Sequence, residues 1–510
     1  MLLGIDVGTT GVKATLFRQD GVRAGYGFRE YSVAFPAPFY AEQDPETVWM
    51  RTLEATAAAI GVFGKQVKAL GISVQGDAII PVDRYNKTLM PAQLGMDYRG
   101  KVQVTACEER HGSRFLFERT GMRPHPMNSA VKILWIMENQ PEIAERTHKF
   151  VTYSDFILAK FGSDDFVIDY TMASRTMLFD AKKKKWDEQI IRQLGIDIAK
   201  LSKPVPSGTP VGTISGEVST LLGLNPHTLL VAGGHDQTCA ALGAGIIKQG
   251  LALDSHGTAE VLSVCLDVPP NMDVMYDSYY PFYLHTVQDK YFTFALNHTS
   301  GILLQWYRDN LAGCEIRLAE ETGKNVYDLI LADVKPTPSP LLVLPHFVGS
   351  GTPTCDTASK GAILGLTLSG TRFDIAAGIL DSLIFEMRLN LDVMKTVGIS
   401  ITDLRAVGGG VRSPAVAQRK ADALELPIHT LVEREAACLG AALLAGLGLG
   451  TFVDAEDAVT IIKTKHRYDP NPQYQPLFFE KYLTYRRLYD TIKPINDRIG
   501  EGTWTTAQTF

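Results

Sequence analysis

The sequence LLGIDVGTTGVKATLF, at residues 2–17, has a spaced counterpart in LALDSHGTAEVLSVCL, at residues 251–266. In both segments an apolar run leads into an acidic residue, a glycine and one or more threonines, and then into a second β-prone run. This order is typical of two strands joined by a tight turn. A glycine-rich turn has few side chains in front of its N–H groups, so it can face an anion. Two such turns could hold the phosphates of one nucleotide, although matches at this spacing can also arise by chance.

Length and composition favour a globular protein of two domains. A chain of 510 residues exceeds what one hydrophobic core usually supports. Its hydrophobic content of 45% and charged content of 21% exclude the disordered and fibrous classes. A net charge of −6, with no basic stripe apart from the lysine run at residues 182–185, argues against nucleic acid as a partner.

Cysteine usage and the apolar segments indicate a cytoplasmic protein. The six cysteines are scattered singly, as expected for reduced thiols. The start of the chain lacks the basic region of a secretory signal. The longest apolar stretch, residues 436–450, is shorter than a membrane span and contains four glycines. We therefore predict a buried helix there and no membrane partner.

Strand and helix patterns alternate along the chain, which predicts an α/β fold. The apolar run 404–407 ends in the glycine triplet 408–410, and residues 413–414 can begin a helix after it. The same order occurs at residues 229–236, where Asp236 can cap the following helix. Both turns direct helix N-termini, with their free N–H groups, toward whatever lies above the sheet.

A set of motifs, in order along nearly the whole chain, resembles the FGGY carbohydrate kinases. No Walker A sequence and no G-x-G-x-x-G pattern is present, so P-loop enzymes and dinucleotide oxidoreductases lose support. The matching motifs are Gly4-Ile5-Asp6-Val7-Gly8-Thr9-Thr10, Gly234-His235-Asp236-Gln237, Ser255-His256-Gly257-Thr258, and Gly408-Gly409-Gly410 followed by Ser413, Gln418, Ala421, Asp422 and Pro427.

This resemblance implies an α/β protein of two ribonuclease-H-like domains, of the actin and sugar-kinase type, with an interdomain cleft. ATP and a small sugar or polyol would meet in that cleft, with Mg²⁺ present. Residues 1–245 would form the N-terminal domain with the sugar site and the catalytic base. Residues 246–510 would form the C-terminal domain, which binds the adenine nucleotide, and a homodimer is the expected assembly.

The nucleotide site implied by the resemblance combines both turns, the glycine triplet and a segment near residue 301. Asp6 lies where a carboxylate could hold Mg²⁺ together with Asp236. The alternative for Lys13 is a solvated lysine on a strand, and the alternative for Gln305 is a residue on a helix surface. The glycine triplet could instead have only a structural role in its turn. The expected nucleotide-binding residues are Gly8, Thr9, Thr10, Lys13, Gly257, Thr258, Gly301, Gln305, Gly408, Gly409, Gly410 and Ser413.

Asp236 is the expected catalytic base. Phosphoryl transfer to a hydroxyl needs mainly alignment and charge neutralisation, with a carboxylate that accepts the proton late. A helix N-terminus helps to keep that carboxylate ionised, and a late proton transfer does not require a raised pKa. The structural alternative is that Asp236 only caps its helix.

The expected sugar site gathers polar side chains that can distinguish epimers by directional hydrogen bonds. Two departures from the family pattern, Gly95 in place of a tryptophan and Gly76 after Gln75, predict a roomier pocket. Each polar residue could instead form a loop salt bridge, for example Asp97 with Arg99. The expected sugar-binding residues are Gln75, Gly76, Asp77, Asp97, Arg99, Asp236 and Gln237.

These expectations define an ATP-dependent kinase that phosphorylates a terminal hydroxyl of a small ketose, such as xylulose or the deoxyketose fuculose. A glycerol or erythritol kinase is the alternative within the same class. A non-catalytic ATP-binding switch of the actin type is the alternative from another class. Comparing ketoses with short polyols as acceptors separates the first two, and sugar-stimulated ADP release excludes the third.

Overall fold

The computed structural model describes residues 1–500 and contains two large mixed sheets. The first sheet is built within residues 2–235. The strands of this half are β1 (Leu2–Val7), β2 (Gly11–Phe17), β3 (Arg23–Glu30), β4 (Glu42–Gln43), β5 (Ala69–Val74), β6 (Ile80–Val82), β7 (Ala92–Gln93), β8 (Lys149–Val151), β9 (Val167–Asp169), β10 (Phe179–Asp180), β11 (Lys185–Trp186), β12 (Lys203–Val205), β13 (Pro210–Thr213) and β14 (Leu229–His235). Its helices are α1 (Pro45–Ile60), α2 (Lys101–His111), α3 (Ser113–Thr120), α4 (Ser129–Asn139), α5 (Pro141–Arg146), α6 (Tyr153–Phe161), α7 (Tyr170–Arg175), α8 (Glu188–Gln193), α9 (Gly216–Leu222) and α10 (Asp236–Gly243).

The second sheet is built from residues 251–468. The strands of this half are β15 (Leu251–His256), β16 (Glu260–Leu266), β17 (Tyr283–Leu284), β18 (Tyr291–Asn297), β19 (Leu342–Leu344), β20 (Ala362–Leu364), β21 (Asp403–Gly408), β22 (Ile428–Leu431) and β23 (Thr464–Tyr468). Its helices are α11 (Met272–Asp277), α12 (Gly301–Leu311), α13 (Gly313–Thr322), α14 (Val326–Leu331), α15 (Arg372–Thr396), α16 (Pro414–Leu424), α17 (Ala436–Gly448), α18 (Ala455–Ala458), α19 (Gln475–Tyr485) and α20 (Leu488–Gly500).

Both large sheets repeat one pattern of strand pairing. The first has the order β13-β14-β5-β1-β2-β3, with β1 antiparallel to β2 and parallel to β5. The second has the order β17-β18-β16-β15-β21-β22-β23, with β15 antiparallel to β16 and parallel to β21. The predicted α/β fold is confirmed, and the repeated sequence segment forms the hairpin β1–β2 in one sheet and β15–β16 in the other.

The carboxyl ends of β1, β5 and β14 lie side by side in the first sheet. Asp6 is in register with Ser73, and Ser73 is in register with Gly234. Because parallel strands end at the same edge of a sheet, the residues that follow them converge there. This edge brings Asp6, Gln75 and Asp236 into one region.

Helices α10 and α17 pack against each other and link the two sheets, since α17 contacts β1 and β5 while α10 contacts β16. Glycines allow backbone contact between them: a Cβ on Gly243 would overlap the carbonyl of Ala436, and one on Gly440 that of Cys239. Most of α17 is buried, which confirms the buried helix predicted at residues 436–450. Because this helix from the second half lies on the first sheet, the domain boundary near residue 245 stays a prediction.

Within residues 1–500, none of the helices combines the length and the apolar character that crossing a bilayer requires. The six cysteines are free, as expected from their scattered positions.

Candidate active site

The turn between β1 and β2 is held by side-chain amides. The hydroxyl of Thr9 donates to Oε1 of Gln75 at 3.1 Å. The Gln75 amide donates in turn to the carbonyl of Gly8 at 3.3 Å and to Oε1 of Gln43 at 3.2 Å. Gln75, an expected sugar ligand, therefore has both ends of its amide engaged in supporting the turn.

Asp6 and Lys13 flank this turn from paired strand positions. Ser73 donates to Oδ1 of Asp6 at 2.7 Å, and burial raises the pKa of Asp6. Lys13 pairs with Glu435 at 2.7 Å. Burial alone would lower the pKa of Lys13, but its hydrogen bond and ion pair with Glu435 raise it to about 12. The lysine is thus held as a cation near the turn, where Thr10 is exposed.

The turn between β15 and β16 packs on the start of α12. The carbonyl of Gly257 accepts from the Gly301 N–H at 3.0 Å, and that of Thr258 accepts from the Ser300 N–H at 3.2 Å. A Cβ on Gly301 would lie only 2.6 Å from the Gly257 oxygen, so this close approach requires glycine. Gln305 is exposed one turn further along α12, which fits its alternative as a helix-surface residue.

A cleft of about 330 Å³ joins this second turn to the glycine triplet. Its lining includes five of the expected nucleotide-binding residues, Gly257, Gly301, Gly409, Gly410 and Ser413. Apolar side chains such as Ile330 and Val416 complete the walls, while Gly408 lines an adjoining groove. The cleft has the size and mixed lining of a small-molecule site.

His256 fills the space that the glycine triplet leaves open. A Cβ on Gly410 would overlap the imidazole of His256, and a Cβ on Gly408 would overlap its carbonyl. The imidazole is buried and lines the cleft, and neither ring nitrogen has a hydrogen-bond partner among residues 1–500. Burial lowers the pKa of His256 to about 4, so the ring is neutral. The position of His256 therefore requires glycine at residues 408 and 410. The sequence motifs did not indicate this role of His256.

Alanine substitutions at Gly410 and Gly409 should separate protein packing from ligand contact. We expect Gly410→Ala to lower the free energy of unfolding of the nucleotide-free protein by about 1–3 kcal/mol, because the new methyl group overpacks against His256. Gly409→Ala is the matched control, since a Cβ there meets open space. It should change stability by no more than about 0.5 kcal/mol and should raise the KM for ATP. Chemical denaturation and initial rates measure the two effects; equal stability of both variants would contradict this role of His256.

Asp236 follows β14 directly and is the first residue of α10. His235 occupies the capping position, so the expectation that Asp236 caps the helix is wrong. The side chain of Asp236 is 32% exposed, against 7% for His235. Burial, and then the charge of Asp6, raise the pKa of Asp236 to about 7, against the opposing hydrogen bond from the Gln237 N–H. The effect of the helix terminus is thus outweighed, and Asp236 is a stronger base than an ordinary aspartate.

The neighbours of Asp236 are a closely packed histidine and an acceptor atom that is free for a ligand. A Cβ on Gly76 would lie 2.7 Å from Nε2 of His235, so the glycine accommodates the imidazole. The Oε1 atom of Gln237 is buried and has no hydrogen-bond partner within residues 1–500. Because buried polar atoms are normally paired, this oxygen is suited to accept a hydrogen bond from a bound hydroxyl group.

Asp77 is engaged by a buried arginine that sequence reasoning missed. Arg175, at the end of α7, donates from Nη2 to Oδ2 of Asp77 at 2.6 Å and from Nε to Oδ1 at 3.2 Å. Both side chains are 4% exposed. Fork-shaped pairing of this kind fixes the carboxylate in one orientation. Any contact between Asp77 and a sugar must therefore coexist with Arg175, and it stays a prediction.

Asp97 and Arg99 form the ion pair that was the alternative to sugar binding. Arg99 donates to Asp97 from Nε at 2.8 Å and from Nη2 at 2.6 Å, and also to Glu42 at 2.6 Å. Its guanidinium lies 3.6 Å from the ring centroid of Tyr40. These contacts hold the loop that carries Gly95 next to Asp77, and sugar contacts from Asp97 or Arg99 stay predictions.

A buried ionic cluster lies beneath the second turn. Lys420, on α16, contacts Oδ2 of Asp254 and Oε1 of Glu260, and all three side chains are at most 2% exposed. Asp254 holds the position in β15 that Asp6 holds in β1. Lys420 neutralises this carboxylate in the second sheet, whereas the Asp6 side chain accepts a hydrogen bond, within residues 1–500, only from the hydroxyl of Ser73. Asp6 is therefore the member of the repeated pair that is available to a cation.

Comparisons with known proteins agree with this arrangement. A model described as the FGGY family of carbohydrate kinases, N-terminal domain, matches residues 1–243, and the corresponding C-terminal domain model matches residues 255–449. The chain is 28% identical to a xylulose kinase of Lactococcus lactis over 98% of both chains. It is 29% identical to a gluconokinase of Bacillus subtilis over 92% of this chain and 91% of the relative. A ligand-bound xylulose kinase from Lactobacillus acidophilus shares the fold, with a TM-score of 0.87 and 22% identity over 98% of this chain and 99% of that one.

Proposed function

Because the chain belongs to the FGGY family of carbohydrate kinases, we propose that it phosphorylates a terminal hydroxyl of a small ketose, with xylulose as the first candidate. Kinases of this family take the phosphoryl group from ATP and transfer it to a small-molecule sugar. The observation that carries the proposal is the convergence of Asp6, Gln75 and Asp236 at the carboxyl edge of the first sheet.

Asp236 is the proposed base. The acceptor hydroxyl oxygen bonds to the γ-phosphorus, the bond from that phosphorus to the β–γ bridging oxygen breaks, and ADP leaves with the electron pair. The hydroxyl proton passes to the Asp236 carboxylate. A pKa near 7 suits this role, because the group is then substantially ionised at neutral pH and still holds a proton readily.

The two turns and the cleft are the proposed ATP site. Gly8, Thr9 and Thr10 would meet the phosphates from the first sheet, with Lys13 as a nearby cation. Gly257 and Thr258 would meet them from the second sheet. The adenosine would occupy the cleft of about 330 Å³ beside Gly409, Gly410 and Ser413.

Asp6 and Asp236 are the proposed Mg²⁺ ligands, directly or through water. The charge of Asp6 raises the pKa of Asp236, and a cation near both would relieve that repulsion. Within residues 1–500 no group of three or more metal-ligand side chains occurs. Mg²⁺ commonly uses one or two protein carboxylates and completes its shell with water and phosphate oxygens. When bound, the ion would neutralise charge on the transferring phosphoryl group.

A panel of acceptors tests the proposed function. In an assay that couples ADP release to a spectroscopic signal, we expect the highest kcat/KM with xylulose among xylulose, fuculose, gluconate and glycerol. Relatives named xylulose kinase support xylulose as the first acceptor to test. If kcat/KM is highest with glycerol, the acceptor of this kinase is a polyol and not a ketose. ADP release that no acceptor stimulates would contradict a sugar kinase.

Substitution of Gly95 tests the roomier pocket. A Cβ on Gly95 would lie 3.4 Å from the Gly76 oxygen and 3.8 Å from Oδ2 of Asp77, so a large side chain there would cover this part of the site. We expect Gly95→Trp to lower kcat/KM for the longest acceptors at least tenfold relative to glycerol, since one displaced methylene is worth about 10–200-fold. Met96→Trp, at an exposed neighbour, is the control. If the ratios of kcat/KM across the acceptor panel are unchanged in Gly95→Trp, the hypothesis of a roomier pocket at Gly95 is contradicted.

A further inference from the structure

Tyr283, from the second sheet, reaches His235 at the end of the first sheet. Tyr283 lies in β17, and its hydroxyl is 3.3 Å from Nδ1 of His235. The two rings meet edge to face with their centroids 5.9 Å apart. On the other side of the ring, Nε2 of His235 is 3.2 Å from Oδ1 of Asp236. The three side chains therefore form a continuous series from β17 to the carboxylate that begins α10.

Contacts around His235 fix its position. The backbone N–H of His235 donates to Oγ1 of Thr171 at 2.7 Å, and its backbone carbonyl accepts from the hydroxyl of Thr238 at 2.8 Å. Its ring lies where a Cβ on Gly76 would be 2.7 Å from Nε2, so the space for the imidazole exists because residue 76 is glycine. His235 is thus built into the structure and is not a mobile surface histidine.

The direction of proton donation follows from which atoms can donate and which can only accept. An ionised carboxylate only accepts hydrogen bonds. Nε2 lies within donor distance of Oδ1 of Asp236, at 3.2 Å, so a proton on Nε2 would be donated to that oxygen when the two groups align, which leaves Nδ1 to accept from the hydroxyl of Tyr283.

We propose that His235 and Tyr283 are positioning residues that hold the Asp236 carboxylate in its orientation for proton transfer. This inference rests on the proposed role of Asp236 as the base. His235 engages Oδ1, so that Oδ2 is the oxygen left to receive the proton of the acceptor hydroxyl. Because Tyr283 belongs to the second sheet, the base is fully oriented only while β17 lies against the end of β14.

Tyr283→Phe tests the inference with little change in packing, because only the hydroxyl is lost. We expect kcat to fall roughly threefold to tenfold, the equivalent of one hydrogen bond, with the KM values for sugar and ATP unchanged. Tyr280→Phe is the matched control, since Tyr280 is equally buried and its hydroxyl donates to Asn390 at 2.8 Å, in a separate hydrogen bond. This control variant should lose about as much folding stability as Tyr283→Phe, and its kcat should be unchanged.

Substitutions of His235 provide the second arm. His235→Leu should lower kcat further, and His235→Gln, which restores an amide donor, should recover part of the loss. Tyr283→Phe added to His235→Leu should have no additional effect, because the tyrosine acts through the histidine. Equal kcat for the Tyr283 and Tyr280 variants, additive effects in the double variant, or a change in the sugar KM alone would each overturn the inference. If Asp236→Asn stayed active while these effects appeared, the assignment of the base would be at fault instead.

Discussion

Asp236→Asn should bind ATP normally and transfer almost no phosphate. Asparagine preserves the size of the side chain but cannot take the proton of the acceptor hydroxyl, and general bases contribute about 10²–10⁴-fold to rate. We expect kcat to fall by that range in the ADP-release assay. ATP affinity, measured by calorimetry without sugar, should change little, because the proposed nucleotide contacts come mainly from other residues.

Two controls make this result specific to the base. Asp309→Asn removes a carboxylate that is 46% exposed on α12, and it should leave kcat unchanged. Higher Mg²⁺ concentration should not restore the Asp236 variant, because a missing proton acceptor is not replaced by a metal ion. Near-normal turnover of Asp236→Asn would refute the assignment, and full recovery with Mg²⁺ would reduce Asp236 to a metal ligand.

Lys420→Met should have the largest effect on stability. Methionine fills a similar volume but leaves the carboxylates of Asp254 and Glu260 buried without a cation. Removal of one partner from a buried ion pair typically costs about 3–5 kcal/mol, and we expect a loss of this size in the free energy of unfolding measured with urea.

Matched variants separate burial from charge count. Lys493→Met also removes a lysine that contacts two carboxylates, Asp356 and Asp497, but this lysine is 42% exposed. It should cost no more than about 1 kcal/mol. Adding Asp254→Asn and Glu260→Gln to Lys420→Met should recover much of the lost stability, since the neutral amides carry a smaller desolvation penalty. If the Lys420 and Lys493 variants lose equal free energy of unfolding, burial of the cluster does not explain the effect on stability.

Local signals were sufficient for the main elements of the fold. The hairpin β1–β2 and its repeat β15–β16 were predictable, because apolar runs and glycine-rich turns are encoded within a few residues. Helix α17 was predictable for the same reason, since its apolar stretch is too short for a membrane and too continuous for a surface helix. The kinase class was predictable from motifs in order, and the comparisons confirm it.

Contacts between residues far apart in the chain could not be predicted from the sequence. Arg175 is 98 positions from Asp77, and Lys420 is 166 positions from Asp254, so only the fold identifies the partners. The raised pKa of Asp236 likewise depends on burial and on the distant Asp6. The glycine triplet could be interpreted from the sequence as a nucleotide contact or as a turn, but its packing on His256 could not be predicted, because the register that sets His256 beside Gly408 exists only once β15 and β21 pair.

The glycines at the contact of α10 and α17 bear on how the two halves of the molecule can move. Long side chains interlock across a helix interface and resist sliding, whereas Gly243 and Gly440 present only backbone to the opposite helix. A shear displacement of one helix along the other then requires few rotamer changes. The contact between α10 and α17 thus combines close approach with low resistance to sliding, and we expect the two large sheets to shift relative to each other along it without repacking of a core.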